Sequence, residues 1–428
     1  MLSAVCALSG AWAGPTGASE PLVKVGVLEG VESVCVSAAA PLTVTPGGGS
    51  YPRQIPADAT WMLRAAGESG LELVSPDDGV VSLEAKSVTV SFARNVGGVA
   101  SGIVIVTPIG AFDTPTRLHA YRGEVDISRS RAGGLLVVNR VRVEDYLRGV
   151  VPCEMGDTYP IEALKAQAIA ARTQALAKLS GRTSHTAYQV CATVHCQVYA
   201  GMSAERPSTD EAVRATRGEV LTFQGQLATA VYHAICGGHT ESNESVWGGS
   251  PVPYLRGRPD TGADAAEWGD LSSEAAIGAY LAAATANCAR PEFCRVDRFR
   301  WERTNTVEDL AKSLPAAIGR LREITPVKRG ISGRIEALKV TGDTGSLVIK
   351  RELPIRRALG NLPSAAFTAE ALRDAEGNLT GFRFRGAGWG HGVGMCQVGA
   401  AGSAAAGKTY RQILEFYYRG CEISRRWD

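Results

Sequence analysis

Between Pro21 and about Arg122 the chain runs in short stretches that alternate apolar and polar residues or stay apolar, separated by glycine and proline. That pattern predicts strands, with Leu22–Leu28, Ser87–Phe92 and Gly102–Val106 the clearest. Leu135–Val141 reads as a further strand, and Val143–Leu147 opens a helical turn. From Ile161 the period changes. Ile161, Leu164, Ala168, Ala171 and Ala175 recur at three- and four-residue steps behind Pro160, whose fixed φ and missing N–H suit a helix start. The small residues along this helix imply close packing. Strands are expected again at Glu219–Phe223, Thr229–Ala234 and from Ile335, and helices at Ala275–Asn287, Val307–Leu321 and Tyr410–Tyr418, the last stopped by Gly420. No internal repeat interrupts the pattern.

The sum is an α+β fold. A signal-like segment (1–20) precedes a β-rich N-terminal domain (21–122). A mixed α/β core (123–428) follows, whose alanine-rich helix borders a cleft. With 428 residues the chain can build more than one hydrophobic core. Its 45% hydrophobic and 21% charged residues are an ordinary globular balance, without a long apolar run that would mark a membrane span after the N-terminus. A net charge of +2 supplies no basic field and argues against nucleic acid as a partner. The apolar opening with its small-x-small Ala11-Trp12-Ala13 points to export, although the usual basic leader residues are missing.

Candidate chemistry is concentrated in a few places. Glu154 lies just ahead of the alanine-rich helix, on which Lys165 and Arg172, seven residues apart, share nearly one side. A carboxyl group beside cations is the minimum equipment for acid/base cleavage of a glycoside, while a solvated basic face is the plainer reading of the two cations. The glycine-rich block Gly386–Ala400 and the Gly237–Gly238 turn have the composition of loops that let backbone approach a ligand, or of ordinary turns. His185, Cys191, His195 and Cys196 supply two imidazoles and two thiols within a dozen residues, a set that suits tetrahedral zinc as well as it suits a buried thiol pair with incidental histidines. Cys288 and Cys294 close a short loop that an oxidising compartment would join as a local disulfide.

The blocks E-D-Y-L-R-G-V-V-P-C-E-M, Y-P-I-E-A-L-K-A-Q-A-I-A-A-R-T-Q-A-L, H-C-Q-V-Y-A-G, C-G-G-H-T-E, V-W-G, P-Y-L and G-W-G-H-G-V-G-M-C-Q-V-G-A, in this order from about Tyr121 to the C-terminus, resemble the stage II sporulation protein D family, which includes the LytB-type amidase enhancers. The resemblance implies a lytic transglycosylase acting on peptidoglycan glycan strands, especially strands stripped of stem peptides by an amidase. It makes Glu154 the catalytic acid and base and moves Lys165 and Arg172 from surface to cleft. Gly237, Gly238, Trp389 and His391 fall in the blocks expected to bind substrate, and Tyr232, just ahead of one of them, joins Trp389 in stacking on sugar faces or else in packing alone. It also aligns His185, Cys191, His195 and Cys196 with a structural zinc site, and implies a cell-wall amidase as partner. Cys153, Cys236 and Cys396 depart from the family's commoner small residues. A Cys153–Cys236 disulfide is one account of that departure, and small buried apolar residues are the other. The rival function is a non-catalytic amidase enhancer that binds the wall, with Glu154 as a helix N-terminal charge partner. A zinc hydrolase is a third.

Overall fold

The computed structural model describes residues 19–428 apart from 49–50, 68–69, 76–78, 84, 93–101, 107–118, 182–184, 261–267 and 283–285; the signal-like segment lies almost wholly outside the described residues. The chain forms two compact units. One takes 19–158, 171–220 and 424–428, and the other 159–170 and 221–423.

The first unit is built on strands β1 (Leu22–Val31), β2 (Ser33–Ser37), β3 (Leu42–Pro46), β4 (Arg53–Ile55), β5 (Trp61–Ala66), β6 (Gly70–Ser75), β7 (Gly79–Ser82), β8 (Ser87–Phe92), β9 (Ile103–Val106), β10 (His119–Tyr121), β11 (Glu124–Arg129), β12 (Leu135–Arg142) and β13 (Val190–Cys191). They form two sheets, ordered β13-β1-β12-β11-β8-β3-β4 and β10-β9-β2-β5-β6-β7. Alternation along the strands sorts the faces: Val23 and Val25, Val34 and Val36, Val88 and Val90, and Val125 and Ile127 are fully or almost fully buried while their neighbours are not. The expected domain boundary at 122–123 is not where the chain divides. β12 pairs antiparallel with β1 from Leu22↔Arg142 to Val31↔Leu135, and β11 pairs with both β8 and β12, so the first strands depend on residues beyond 123 to complete their sheet.

Helix α1 (Val143–Glu154) continues directly from β12, and α2 (Ile161–Ser180) follows a short turn. α2 is buried almost all round between Ala163 and Leu176, including Ala166, Ala168, Ala170, Ala171 and Ala175. Alanine lets neighbours approach on every side without costing side-chain entropy, and this is the reason for the composition. A third helix, α3 (Pro207–Ala215), carries proline at its start.

In the second unit, Arg300–Thr306, Leu379–Ala387 and Phe367–Arg373 make one three-stranded sheet, and Leu321–Arg329, Ile335–Gly342 and Ser346–Lys350 another. Trp301, Leu338, Val340, Ile355, Phe367 and Phe384 are among the residues of their common core. The strand expected over Thr229–Ala234 is reduced to Tyr232–His233, paired parallel with Met395–Cys396. The helix expected over Val307–Leu321 stops at Ala311, and Pro315 makes its continuation costly. The helix expected over Ala275–Asn287 is described at Glu274–Ala282, with Ala286 and Asn287 outside any helix, and Tyr410–Tyr417 is helical as expected, closed at its start by a capping box between Thr409 and Gln412.

Candidate functional site

Glu154 is the last residue of α1, half-buried, and its Oε1 accepts the Val198 N–H at 3.0 Å. The carboxylate stands at the C-terminal end of α1, where the helix carbonyls, not its amides, are unpaired. The Val198 amide is held by its neighbours. Gln197 is buried, accepts a hydrogen bond from Tyr146 Oη at 3.2 Å and donates to the Ala171 carbonyl at 3.3 Å. Tyr199 donates to Asn139 Oδ1 at 2.8 Å, and Asn139 in turn donates to the Arg122 and Glu124 carbonyls. Gly149 lets this segment approach α1: a Cβ there would stand 2.6 Å from the Tyr199 ring and 2.9 Å from the Gly201 carbonyl oxygen.

Arg172 is not a cleft residue. It is fully buried, forms a bidentate pair with Glu144 (Nε–Oε1 3.0 Å, Nη2–Oε2 2.7 Å), and donates to the carbonyls of Glu219 at 3.0 Å and Val213 at 3.2 Å. Glu144 also accepts from the Gly218 N–H and from Trp427 Nε1. The seven-residue spacing from Lys165 to Arg172 could not show that a carboxylate 28 residues upstream neutralises the guanidinium. The pair fixes α1, which carries Glu154, against α2. Lys165 is partly exposed and bonds Glu162 at 2.7 Å, a short-range helical ion pair.

His185, Cys191, His195 and Cys196 converge, their ligand atoms all within 4.8 Å of one another. Cys191 Sγ–His195 Nδ1 is 3.6 Å, Cys196 Sγ–His195 Nδ1 3.5 Å and Cys196 Sγ–His185 Nε2 3.7 Å. Sulfur and nitrogen bound tetrahedrally to one zinc ion stand about 3.6 Å apart, so this donor set fits the metal. Burial raises the Cys191 thiol, but hydrogen bonds from Thr193 and His195 outweigh it and bring it down to about 6.

The remaining expected substrate residues lie in the second unit. Trp389 is 38% exposed, with the Arg298 guanidinium 5.2 Å from its ring centroid, and Tyr232 is half-buried. Gly237 and Gly238 do not offer themselves to a ligand. Both are buried at positive φ, the Gly237 carbonyl accepts from Tyr280 and Arg300, and the Gly238 N–H donates to Cys236 Sγ. His391 is likewise committed: Nδ1 accepts the Val393 N–H and Nε2 donates to the Tyr232 carbonyl, each at 3.0 Å, which defines a neutral ring. Burial, then the neighbouring His233, hold it well below the ordinary imidazole range.

Neither expected disulfide is present. Cys153 donates its thiol to the Gly149 carbonyl, Cys294 to that of Arg295, and Cys236 faces Cys288. The Val198 amide and Asp260, described further on, escaped sequence reading because a backbone donor has no letter and Asp260 has no ligating neighbour in sequence.

A profile of the family described as Stage II sporulation protein matches residues 131–223, and one described as a domain of unknown function matches 241–394. An uncharacterized protein of Brachyspira hyodysenteriae (strain ATCC 49526 / WA1) is 32% identical over 294 residues, 68% of either chain. Stage II sporulation protein D of Bacillus subtilis (strain 168) is 30% identical over 307 residues, 67% of this chain and 76% of that protein. The Amidase enhancer of the same organism is 30% identical over 291 residues, 65% of this chain but 40% of its own length. With the α1–α2 segment and its histidine–cysteine loop inside the matched region, this chain belongs to the stage II sporulation protein D/LytB family.

Proposed function

We propose that the protein is an exported lytic transglycosylase that cleaves the MurNAc–GlcNAc bonds of denuded peptidoglycan glycan. The observation that carries this reading is the half-buried Glu154 carboxylate, oriented through one oxygen by the Val198 amide at the end of a helix that a buried ion pair holds in place. Protonated Glu154 gives its proton to the glycosidic oxygen as the muramic ring acquires oxocarbenium character. The carboxylate then takes the proton of the muramic C6 hydroxyl, which attacks the anomeric carbon and closes a 1,6-anhydro ring. One protein carboxylate suffices because the nucleophile belongs to the substrate. Trp389 is a separate, solvent-facing surface on which a sugar can stack.

His185, Cys191, His195 and Cys196 would hold zinc in a closed four-ligand shell, which leaves no position for water and makes the metal structural. Cys196 is two residues from Val198, so ordering this loop orders the amide that Glu154 uses.

Digestion of denuded glycan strands with purified protein, read by mass spectrometry, tests the reaction: wild type should release anhydromuramic ends and Glu154→Gln should lose at least about 100-fold of that rate. A wild-type preparation that yields none would support the second reading, which the similarity to a protein named Amidase enhancer favours: a wall-binding protein that raises the activity of an amidase. Amidase turnover with and without this protein measures it.

A further inference from the structure

Three of the cysteines outside the catalytic reading meet. Cys236, Cys288 and Cys396, up to 160 residues apart in sequence, converge with Asp260 inside the second unit, their ligand atoms all within 4.8 Å of one another. All four residues are buried: Asp260, Cys288 and Cys396 expose nothing and Cys236 only 2%. Cys236 Sγ is 3.5 Å from Cys288 Sγ and 3.3 Å from Asp260 Oδ2. Ligands on one tetrahedral zinc ion would be about 3.8 Å apart for two sulfurs and about 3.6 Å for sulfur and oxygen, so a shift of a few tenths of an ångström seats the ion.

The surroundings are those of a ligand shell. The Cys236 and Gly399 amides donate to Cys396 Sγ at 3.1 and 3.2 Å, and the Gly238 amide to Cys236 Sγ at 3.2 Å. Cys396 also caps the N-terminus of the helix Gln397–Ala405, where the helix dipole favours a thiolate. Tyr417 Oη donates to Asp260 Oδ2 at 2.9 Å and Asn287 Nδ2 to Oδ1 at 2.8 Å, which orients the carboxylate as outer partners orient metal ligands. Glycine is required beside the group, since a Cβ at Gly399 would run into Asp260 Oδ2 and Tyr417 Oη. Among the described residues the side chains bonded to Asp260 are all neutral, and the buried Arg334 guanidinium bonds the Cys236 carbonyl, not a ligand atom. A disulfide would consume two thiols and leave the third with a buried carboxyl group. An iron–sulfur cluster spreads its ligands over two or more irons, whereas these four ligand atoms all lie within 4.8 Å of one another, as around a single ion.

We propose that Cys236, Cys288, Cys396 and Asp260 form a second metal site that binds one zinc ion in a closed shell of three sulfurs and one oxygen. The site is structural. It ties the Cys236–Gly238 turn, the Asp260 and Cys288 loops and the start of the helix Gln397–Ala405 together, and through the Ile235–Trp389 bridge it steadies the glycine-rich block that presents Trp389.

Metal analysis of the full chain purified with zinc and without chelator should give two equivalents per chain. Cys288→Ser should lose one, His195→Ala should lose the other, and zinc-edge absorption of the His195→Ala protein should show a sulfur-rich shell without imidazole. One equivalent that survives His195→Ala and disappears in Cys288→Ser would uphold this site while removing the histidine–cysteine one. The proposal is overturned if zinc content is unchanged in Cys288→Ser, if wild type holds one equivalent that His195→Ala abolishes, or if alkylation mapping of the unreduced wild type finds Cys236 joined to Cys288. The wild-type measurements decide the matter even where a variant does not fold.

Discussion

Arg172 shows how far a single letter can mislead. A helical cation near a candidate acid invites assignment to substrate, yet burial leaves it no water, and the Glu144 carboxylate with two carbonyls satisfies its donors instead. Removing one partner of such a pair strands the other as an uncompensated buried charge. Arg172→Met should therefore destabilise the protein by about 3–5 kcal/mol in urea titration, with a smaller loss when Glu144→Gln is added to it. His239 offers a test by pH. Burial lowers its imidazole to about 4, below the ordinary value, so the folded protein keeps it neutral where the unfolded chain takes up a proton. Its contribution is complete above pH 6.5 and is lost as pH falls toward 4. The stability difference between wild type and His239→Asn should shrink over that interval, by an amount on the order of 3 kcal/mol. A constant difference would contradict the assignment.

Among elements, α1, α2 and the loop 185–199 form the assembly around Glu154: α2 anchors α1 through Arg172, and the loop delivers the Val198 amide to the end of α1. Gly149 is the contact that allows it, and a methyl group there has no room beside Tyr199. Gly149→Ala should cost about 1–3 kcal/mol and lower turnover through a displaced Val198, measured as faster amide exchange at that residue. Stripping zinc from the histidine–cysteine loop should have the same exchange signature and lower the melting temperature, reversed when zinc is restored. These elements were legible in sequence because periodicity is local: Ser87–Phe92, Glu219–Phe223 and the helix at Tyr410 fall where the pattern places them. Val307–Leu321 was overextended because apolar spacing continues past Ala311 while Pro315 does not permit the helix to follow.

For the whole molecule, the division of the chain was the least visible property. Residues 424–428 return to the unit of the N-terminal strands, where Trp427 is buried and donates to Glu144 at 3.1 Å. Deleting them should lower the stability of that unit by about 2–4 kcal/mol, seen as earlier loss of exchange protection in β1 and β12 than in the strands around Phe384. Taken alone, the sequence determined the α+β class and most strands and helices, and it singled out Glu154 and the histidine–cysteine set as candidates, because propensity, periodicity and short ligand spacing are properties of neighbouring residues. Only tertiary structure decided that Arg172 is a buried anchor, that Gly238 serves a thiol, that β12 completes the first sheet, and that Cys236, Asp260, Cys288 and Cys396 share one point. Each of these depends on which distant segments exclude water from one another, and burial of that kind has no signature in the order of the letters.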